Sequence, residues 1–300
     1  MKFIIVTKSY DENIGGSIVL HKLCHLINEH GGDAFIHPFI TTHECSFYGI
    51  YKKQKSKLAV CLKKFETNPL FNTPIIKSLK GLDEHEYCVI YPEIVDGNPL
   101  HAKNVIRWFL HHPGFHTGRV QYNTGELYFS YGVFGNDFII QGSNRSKLKL
   151  EVTHLFTEYY NLNNANGIRH GTSYCIRKGT GRNIVHDLTD SILIDGRSHS
   201  EIANIFKKTK YFISYDLYTA YFWFAILCGC IPIVIPESNM TKEEWYPDEQ
   251  SRIGIAYGFE DIPTAMHQAE QARITIGSKE SLLSPLIKRF MNEVEAYFIN

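Results

Sequence analysis

Residues 212–237 read FISYDLYTAYFWFAILCGCIPIVIPE, and how they are read decides the fold. Two apolar segments flank a polar knot, Ser214-Tyr215-Asp216-Leu217-Tyr218-Thr219. Cys228-Gly229-Cys230 then separates the second segment from a strand-like run. A membrane helix needs about 20 consecutive apolar residues. Asp216, Gly229, Pro232 and Pro236 divide this stretch, and no other segment comes closer, so no transmembrane segment is expected. The same residues fit a strand at Tyr211–Ser214, a helix at Tyr218–Leu227 stopped by Gly229, and a strand at Ile231–Ile235. Asp216 is placed to cap that helix.

The alternation continues on either side. Upstream, Ser173–Ile176 is a strand followed by the basic turn Arg177-Lys178-Gly179-Thr180-Gly181-Arg182. Ile192–Ile194 is a strand ending at Asp195-Gly196, and Glu201–Phe206 is a helix with Ser198 or Ser200 as its cap. At the other end of the chain, Phe3–Thr7 is a β-branched strand, Lys8–Gly16 a polar loop closing on two glycines, and Ser17–Glu29 a helix. Ile18, Leu20, Leu23, Leu26 and Ile27 share one face of that helix, which Gly31-Gly32 stop before strand Ala34–Pro38. Tyr87–Tyr91 is a strand running into Pro92-Glu93. Ala102–Leu110 is an apolar element stopped by His111-His112-Pro113-Gly114, and short strands follow to about Phe156. The asparagine-rich segment 157–172 reads as a linker or an interdomain loop, and Glu280–Phe298 as a long amphipathic helix.

Alternating β and α elements call for parallel sheets with helices on both faces. The chain has 300 residues, 44% of them hydrophobic, enough for two domains at roughly 100–200 residues each. The expected organisation is α/β throughout: two α/β domains joined near residue 165, followed by a C-terminal helix.

Charge and cysteines narrow the function. Lys plus Arg total 31, as do Asp plus Glu, so the chain lacks the positive excess of a nucleic-acid binder. Seven cysteines at 24, 45, 61, 88, 175, 228 and 230 form no CxxC pair, and several lie in apolar runs. That argues for reduced thiols in a reducing compartment rather than a disulfide scaffold. The apolar run after Met1 is too short for a signal peptide, so a cytoplasmic location is expected. No DxD pair, GxSxG elbow or P-loop occurs, and no bound metal or cofactor is expected.

In open parallel sheets, ligands bind outside the carboxyl ends of the strands. That rule selects loops 8–16, 92–99, 111–118, 177–182, 195–197 and 214–219. Gly15 and Gly16 open a helix whose N–H groups can face an anion, or they make a plain tight turn. Arg177 and Lys178 can clamp a diphosphate, or form a solvated basic turn. Asp216, Tyr218 and Thr219 begin the next helix, with free N–H groups for a phosphate or simply a cap. Glu93 is a carboxylate placed to act as a general base, or to hold a turn; Asp96 is a weaker rival. His111 and His112 can hold a sugar hydroxyl or phosphate, or end their element.

Taken together, these loops resemble a GT-B glycosyltransferase. The most specific likeness runs from Ile192 to Val234. Family 4 and similar glycosyltransferases have a strand ending in glycine, a helix, a strand, a Ser-x-x-Glu-Gly-Phe-Gly motif, a helix with a second glutamate, and Ala-x-x-x-Gly-x-Pro before a hydrophobic strand. Here the chain reads ILIDG, then EIANIFKKTKYFIS, then Ser214 to Thr219, then Ala225-Ile226-Leu227-Cys228-Gly229-Cys230-Ile231-Pro232. Asn13-Ile14-Gly15-Gly16-Ser17 resembles the Gly-Gly loop that opens the same enzymes. Residues 91–100 are similar to sequences in polysaccharide-building transferases of bacteria and large algal viruses.

The resemblance implies two Rossmann-like domains facing a cleft, an acceptor-binding one over 1–165 and a donor-binding one over 166–280, with a C-terminal helix over 281–300 packing back on the first. It implies a metal-independent hexosyl- or pentosyltransferase that moves sugar from a nucleotide-diphosphate donor to a hydroxyl of a glycan acceptor. Gly15, Gly16, Arg177, Lys178, Gly196, Asp216, Tyr218 and Thr219 would bind the donor, and Glu93 and His112 would be catalytic. Two departures stand out: Asp216 replaces the first glutamate, and Phe224, which cannot accept a hydrogen bond from ribose, replaces the second. They leave retention or inversion open. They also leave room for two alternatives, a nucleotide-sugar epimerase on the same fold and a binding protein without catalysis.

Overall fold

The structure is a computed structural model, and it describes residues 1–39, 65–165 and 167–299. The chain divides into two compact units: Met1–His154 with Leu282–Asn300, and Leu155–Ser281.

The first unit is built on six parallel strands: β1 (Lys2–Thr7), β2 (Asp33–Pro38), β3 (Tyr87–Pro92), β4 (Asn104–Phe109), β5 (Leu127–Ser130) and β6 (Asn144–Lys149). Their order is β2-β1-β3-β4-β5-β6. Helix α1 (Gly15–Glu29) joins β1 to β2. The central strands are near-continuous apolar runs because both faces are covered. On one face Phe3, Ile5, Cys88, Ile90 and Trp108 pack with Leu23 and Ile27 of α1. On the other, Ile4, Val6, Val89, Tyr91 and Val105 form a second core.

The second unit has five parallel strands: β7 (Thr172–Cys175), β8 (Ser191–Leu193), β9 (Tyr211–Ser214), β10 (Ile231–Val234) and β11 (Ala256–Tyr257). They are ordered β11-β10-β9-β7-β8. Its helices are α2 (His199–Lys208), α3 (Tyr221–Leu227), two short helices α4 (Lys242–Trp245) and α5 (Glu249–Arg252), and α6 (Ile262–Gly277). Ser198 caps α2: its hydroxyl accepts from the Glu201 N–H while the Glu201 carboxylate takes the Ser198 N–H. Arg169 closes the other end, donating to the Phe206 and Thr209 carbonyls of α2 and the Cys228 carbonyl after α3.

The final helix, α7 (Leu283–Ile299), belongs to the first unit. Leu283, Ile287, Phe290 and Val294 are buried in the first unit's core, with the Phe290 ring 5.8 Å from Phe3 and 5.0 Å from Phe129. Chain order therefore passes through the second unit and returns to the first.

Three expectations need correction. The helix in the opening stretch starts at Tyr221, with Ala220 as its N-cap, and not at Tyr218. Asp216 does not cap it. Its Oδ1 accepts the Tyr218 N–H at 3.1 Å, and Thr219 Oγ1 accepts the Tyr221 N–H at 3.3 Å. Two side-chain-closed turns thus fill 216–221 before the helix can begin. The asparagine-rich segment is not a free linker either: Tyr160 within it is buried, and the segment lies inside the second unit, which begins at Leu155. Five cysteines, at 24, 88, 175, 228 and 230, are buried and free, and burial pushes each thiol up. Cys45 and Cys61 lie outside the described residues. Among the described residues no helix is long and apolar enough to cross a membrane.

Candidate functional site

Both sheets have a reversal of winding. From β1 the chain moves outward to β2, then returns to the other side of β1 as β3; from β7 it moves to β8 and returns as β9. In such sheets ligands bind at the carboxyl ends of the two strands flanking the switch. In the first unit those ends lead into loops 8–14 and 93–100, and in the second into loops 176–182 and 215–220.

The first unit brings Gly15, Gly16 and Glu93 to one edge. A Cβ on Gly16 would touch Leu110 at 3.7 Å, and the Leu110 N–H donates to Glu93 Oε2 at 3.0 Å. Gly15 and Gly16 open α1 without positive φ, and a Cβ on Gly15 would meet nothing within 4 Å. Neither fold geometry nor space therefore demands glycine. Yet glycine weakens a helix by about 1 kcal/mol relative to alanine. Gly15 leaves open space beside a helix start that no side chain caps.

Glu93 is only 6% exposed. Its loop is held from below by a residue that sequence reading missed. Arg107, in the middle of apolar strand β4, is fully buried and forks onto Glu126, with Nη2–Oε1 at 2.6 Å and Nε–Oε2 at 2.9 Å. Its remaining donors reach the Val95 carbonyl at 2.6 Å and the Gly97 carbonyl at 2.8 Å. The guanidinium lies over the rings of Tyr122 and Tyr91, at 4.4 and 5.1 Å. Tyr122 in turn donates its hydroxyl to the Glu93 carbonyl at 2.6 Å. A lone arginine inside NVIRWF was the signal that could have revealed this support. Asp96 pairs with Arg119 at 2.8 Å, which ties the loop down rather than leaving a second base.

His111 and His112 follow β4 beside Phe134, at ring distances of 4.7 and 5.2 Å. Burial lowers the His112 pKa, opposed by the charge of Asp137. Burial thus favours the neutral imidazole, which suits a hydroxyl more than an anion. The pairs His21/His25 and His112/His116 have metal-like spacing. Among the described residues, however, no group of three or more His, Cys, Asp or Glu is placed to hold a metal ion.

The second unit brings Arg177, Lys178, Asp216, Tyr218 and Thr219 to the β7/β9 edge. Lys178 Nζ donates to the Tyr218 carbonyl at 3.3 Å, and Arg177 lies over the Tyr221 ring at 4.9 Å. Arg177 and Lys178 are both exposed. Gly179 is required by close approach: a Cβ there would fall 2.2 Å from the Tyr215 carbonyl oxygen. Arg182 fastens the neighbouring strand ends, donating to the carbonyls of Tyr215, Ile235 and Pro236 at 2.7–2.9 Å. Gly196 follows β8 and turns the chain with φ 78°. The Tyr218 N–H is spent on Asp216, which is itself 2% exposed, so that pair shapes the loop rather than offering a phosphate site. Phe224 is buried. It lies flat on Tyr160 and edge-on to Phe156, His199 and Tyr221, all in the core of the unit.

No family model and no curated protein matches the sequence. Solved structures of similar shape include MurG of Acinetobacter baumannii, at 7% identity and TM-score 0.44, covering 96% of this chain and 99% of that one. Sucrose-phosphate synthase of Thermosynechococcus elongatus is similar at 8% identity and TM-score 0.45, over 99% and 94% of the two chains. T4 phage BGT, in complex with its UDP-glucose substrate, is similar at 9% identity and TM-score 0.42, over 99% and 97%. Likenesses this faint carry no weight for function, which rests on the residues themselves.

Proposed function

We propose that the protein is a glycosyltransferase of GT-B type. It moves a hexosyl or pentosyl group from a nucleotide-diphosphate sugar to a hydroxyl of a glycan acceptor, without a metal, in polysaccharide assembly. The observation that carries the reading is the placement of candidate chemistry at both switch points: a held carboxylate at β1/β3 and a pair of exposed cations at β7/β9.

On this reading Arg177 and Lys178 take the charge that grows on the leaving diphosphate, the work a metal ion does in other transferases. The seven-residue α3 adds little dipole. Glu93, with one oxygen oriented by the Leu110 N–H, accepts the proton of the acceptor hydroxyl as the new glycosidic bond forms. Such a base makes the displacement inverting. Neutral His112 orients a hydroxyl of the acceptor or the donor sugar. Gly15 and Gly16 let a substrate approach the first turn of α1. With Phe224 in the core, the ribose is recognised by groups other than the residue at that position.

A thermal-shift screen of nucleoside diphosphates and their sugars tests the donor half, since a ligand that binds only the native state raises its melting temperature. At least one diphosphate should raise it in the wild type and not in Lys178→Ala. If none shifts the wild type, the donor assignment is wrong.

A further inference from the structure

Arg177 is held in a backbone conformation that arginine rarely adopts. Its φ is 44°, in the left-handed region, where a Cβ is crowded by the carbonyl oxygen. Ile176 before it is right-handed, with φ −104° and ψ −56°. A right-handed residue followed by a left-handed one points both N–H groups into a single concavity that attracts an anion. It lies just past β7, at the edge where the donor reading needs a phosphate.

That concavity is already filled by the chain. Asp195 Oδ2 accepts the Ile176 N–H at 2.9 Å and the Arg177 N–H at 3.1 Å. Its other oxygen, Oδ1, is buried with no hydrogen-bond partner among the described residues. An unpartnered buried carboxylate oxygen and a left-handed arginine both work against stability. The two features meet where the loop after β8 touches the loop after β7, whose next residue, Lys178, reaches across to the Tyr218 carbonyl.

We propose that Asp195 is a positioning residue. It fills the main-chain anion nest with an internal carboxylate and locks Arg177 left-handed, so that the donor diphosphate is met by the Arg177 and Lys178 side chains and not by backbone N–H groups. The inference rests on the donor reading above.

The test is isothermal titration of UDP, ADP, GDP and dTDP into the wild type, Asp195→Ala, Asp195→Asn, Arg177→Ala and the Asp195→Ala/Arg177→Ala double variant. Asp195→Ala should weaken binding about tenfold, as Arg177→Ala does, and the double variant should be no weaker than Arg177→Ala alone. Asp195→Asn keeps a carbonyl oxygen for the two N–H groups and should bind within about threefold of wild type. Wild-type affinity in Asp195→Ala, with Arg177→Ala impaired, overturns the lock and leaves the donor reading standing. If no diphosphate binds the wild type, the donor reading falls and melting temperatures decide on the lock alone. Arg177→Gly should then raise the melting temperature and shrink the drop caused by Asp195→Ala. Equal drops in the Arg and Gly backgrounds overturn it.

Discussion

The ring of Phe224 lies flat on that of Tyr160, with centroids 4.3 Å apart and planes within 3°. Position 224 is filled by a core residue that is 4% exposed. An acid placed there should therefore not provide a ribose grip. Phe224→Glu would bury an unpaired carboxylate among Tyr160, His199 and Phe156, and should cost at least the about 3–5 kcal/mol of removing a buried aromatic. Thermal melting checks this; a stable variant with tighter nucleotide binding would show that the position faces the ligand after all.

The glycines separate into two kinds. Gly15→Ala meets open space and a helical backbone, so it should leave stability unchanged or raise it by up to about 1 kcal/mol while transfer falls. Gly179→Ala drives a methyl into the Tyr215 carbonyl, which a strand end cannot withdraw, and should cost about 1–3 kcal/mol or more. Melting curves paired with a transfer assay distinguish them. Full activity in Gly15→Ala would remove ligand approach as the reason for that glycine.

Arg107 couples fold and site. Arg107→Met leaves Glu126 buried without its partner and should cost about 3–5 kcal/mol, much of it recovered in the Arg107→Met/Glu126→Leu double variant. Activity should stay low in the double variant, because the Val95 and Gly97 carbonyls lose their anchor and the Glu93 loop is no longer fixed. Recovery of both stability and activity would make the ion pair a purely structural device.

Several histidines titrate abnormally for one reason. Burial lowers the pKa of His21, His25, His37, His112 and His186. The folded chain therefore binds fewer protons than the unfolded one. The stability contribution is complete above the ordinary histidine value of about 6.5 and is lost as pH falls through the lowered folded values. His21 illustrates the cause: Nε2 is 3.0 Å from the Lys8 carbonyl, and Nδ1 is buried without a hydrogen-bond partner for an added proton. Melting temperature should drop between pH 7.5 and 5.5, and drop less in His21→Gln. An equal drop in the variant would place the titration elsewhere.

The fold was legible because parallel strands buried on both faces leave unbroken apolar runs, and the glycine and proline stops between them survive in the sequence. Ile231–Val234 and Tyr211–Ser214 could be read off directly. The start of α3 could not, because Asp216 and Thr219 close local turns with the same side-chain chemistry that caps a helix. Helix α6 went unread: Met266 and Ile274 are exposed among its polar residues, and its buried side consists of small residues, Ala265 and Ala272, with Ile276, so no clear apolar stripe marks it. The placement of Gly15, Glu93, Arg177 and Lys178 just past strand ends was legible from loop position. Arg107, Tyr122 and Asp195 were not, since they act through residues distant in sequence.

The central claim is sugar transfer from a nucleotide donor with Glu93 as base. Its most direct test is mass spectrometry of wild type and Glu93→Gln incubated with a panel of nucleotide-diphosphate sugars, with and without mono- and oligosaccharide acceptors. The account predicts a glycosylated acceptor and free nucleoside diphosphate in the wild type, at least about 100-fold less in Glu93→Gln, and donor binding retained in both. Isomerisation of the donor without acceptor, or full transfer by Glu93→Gln, would contradict it.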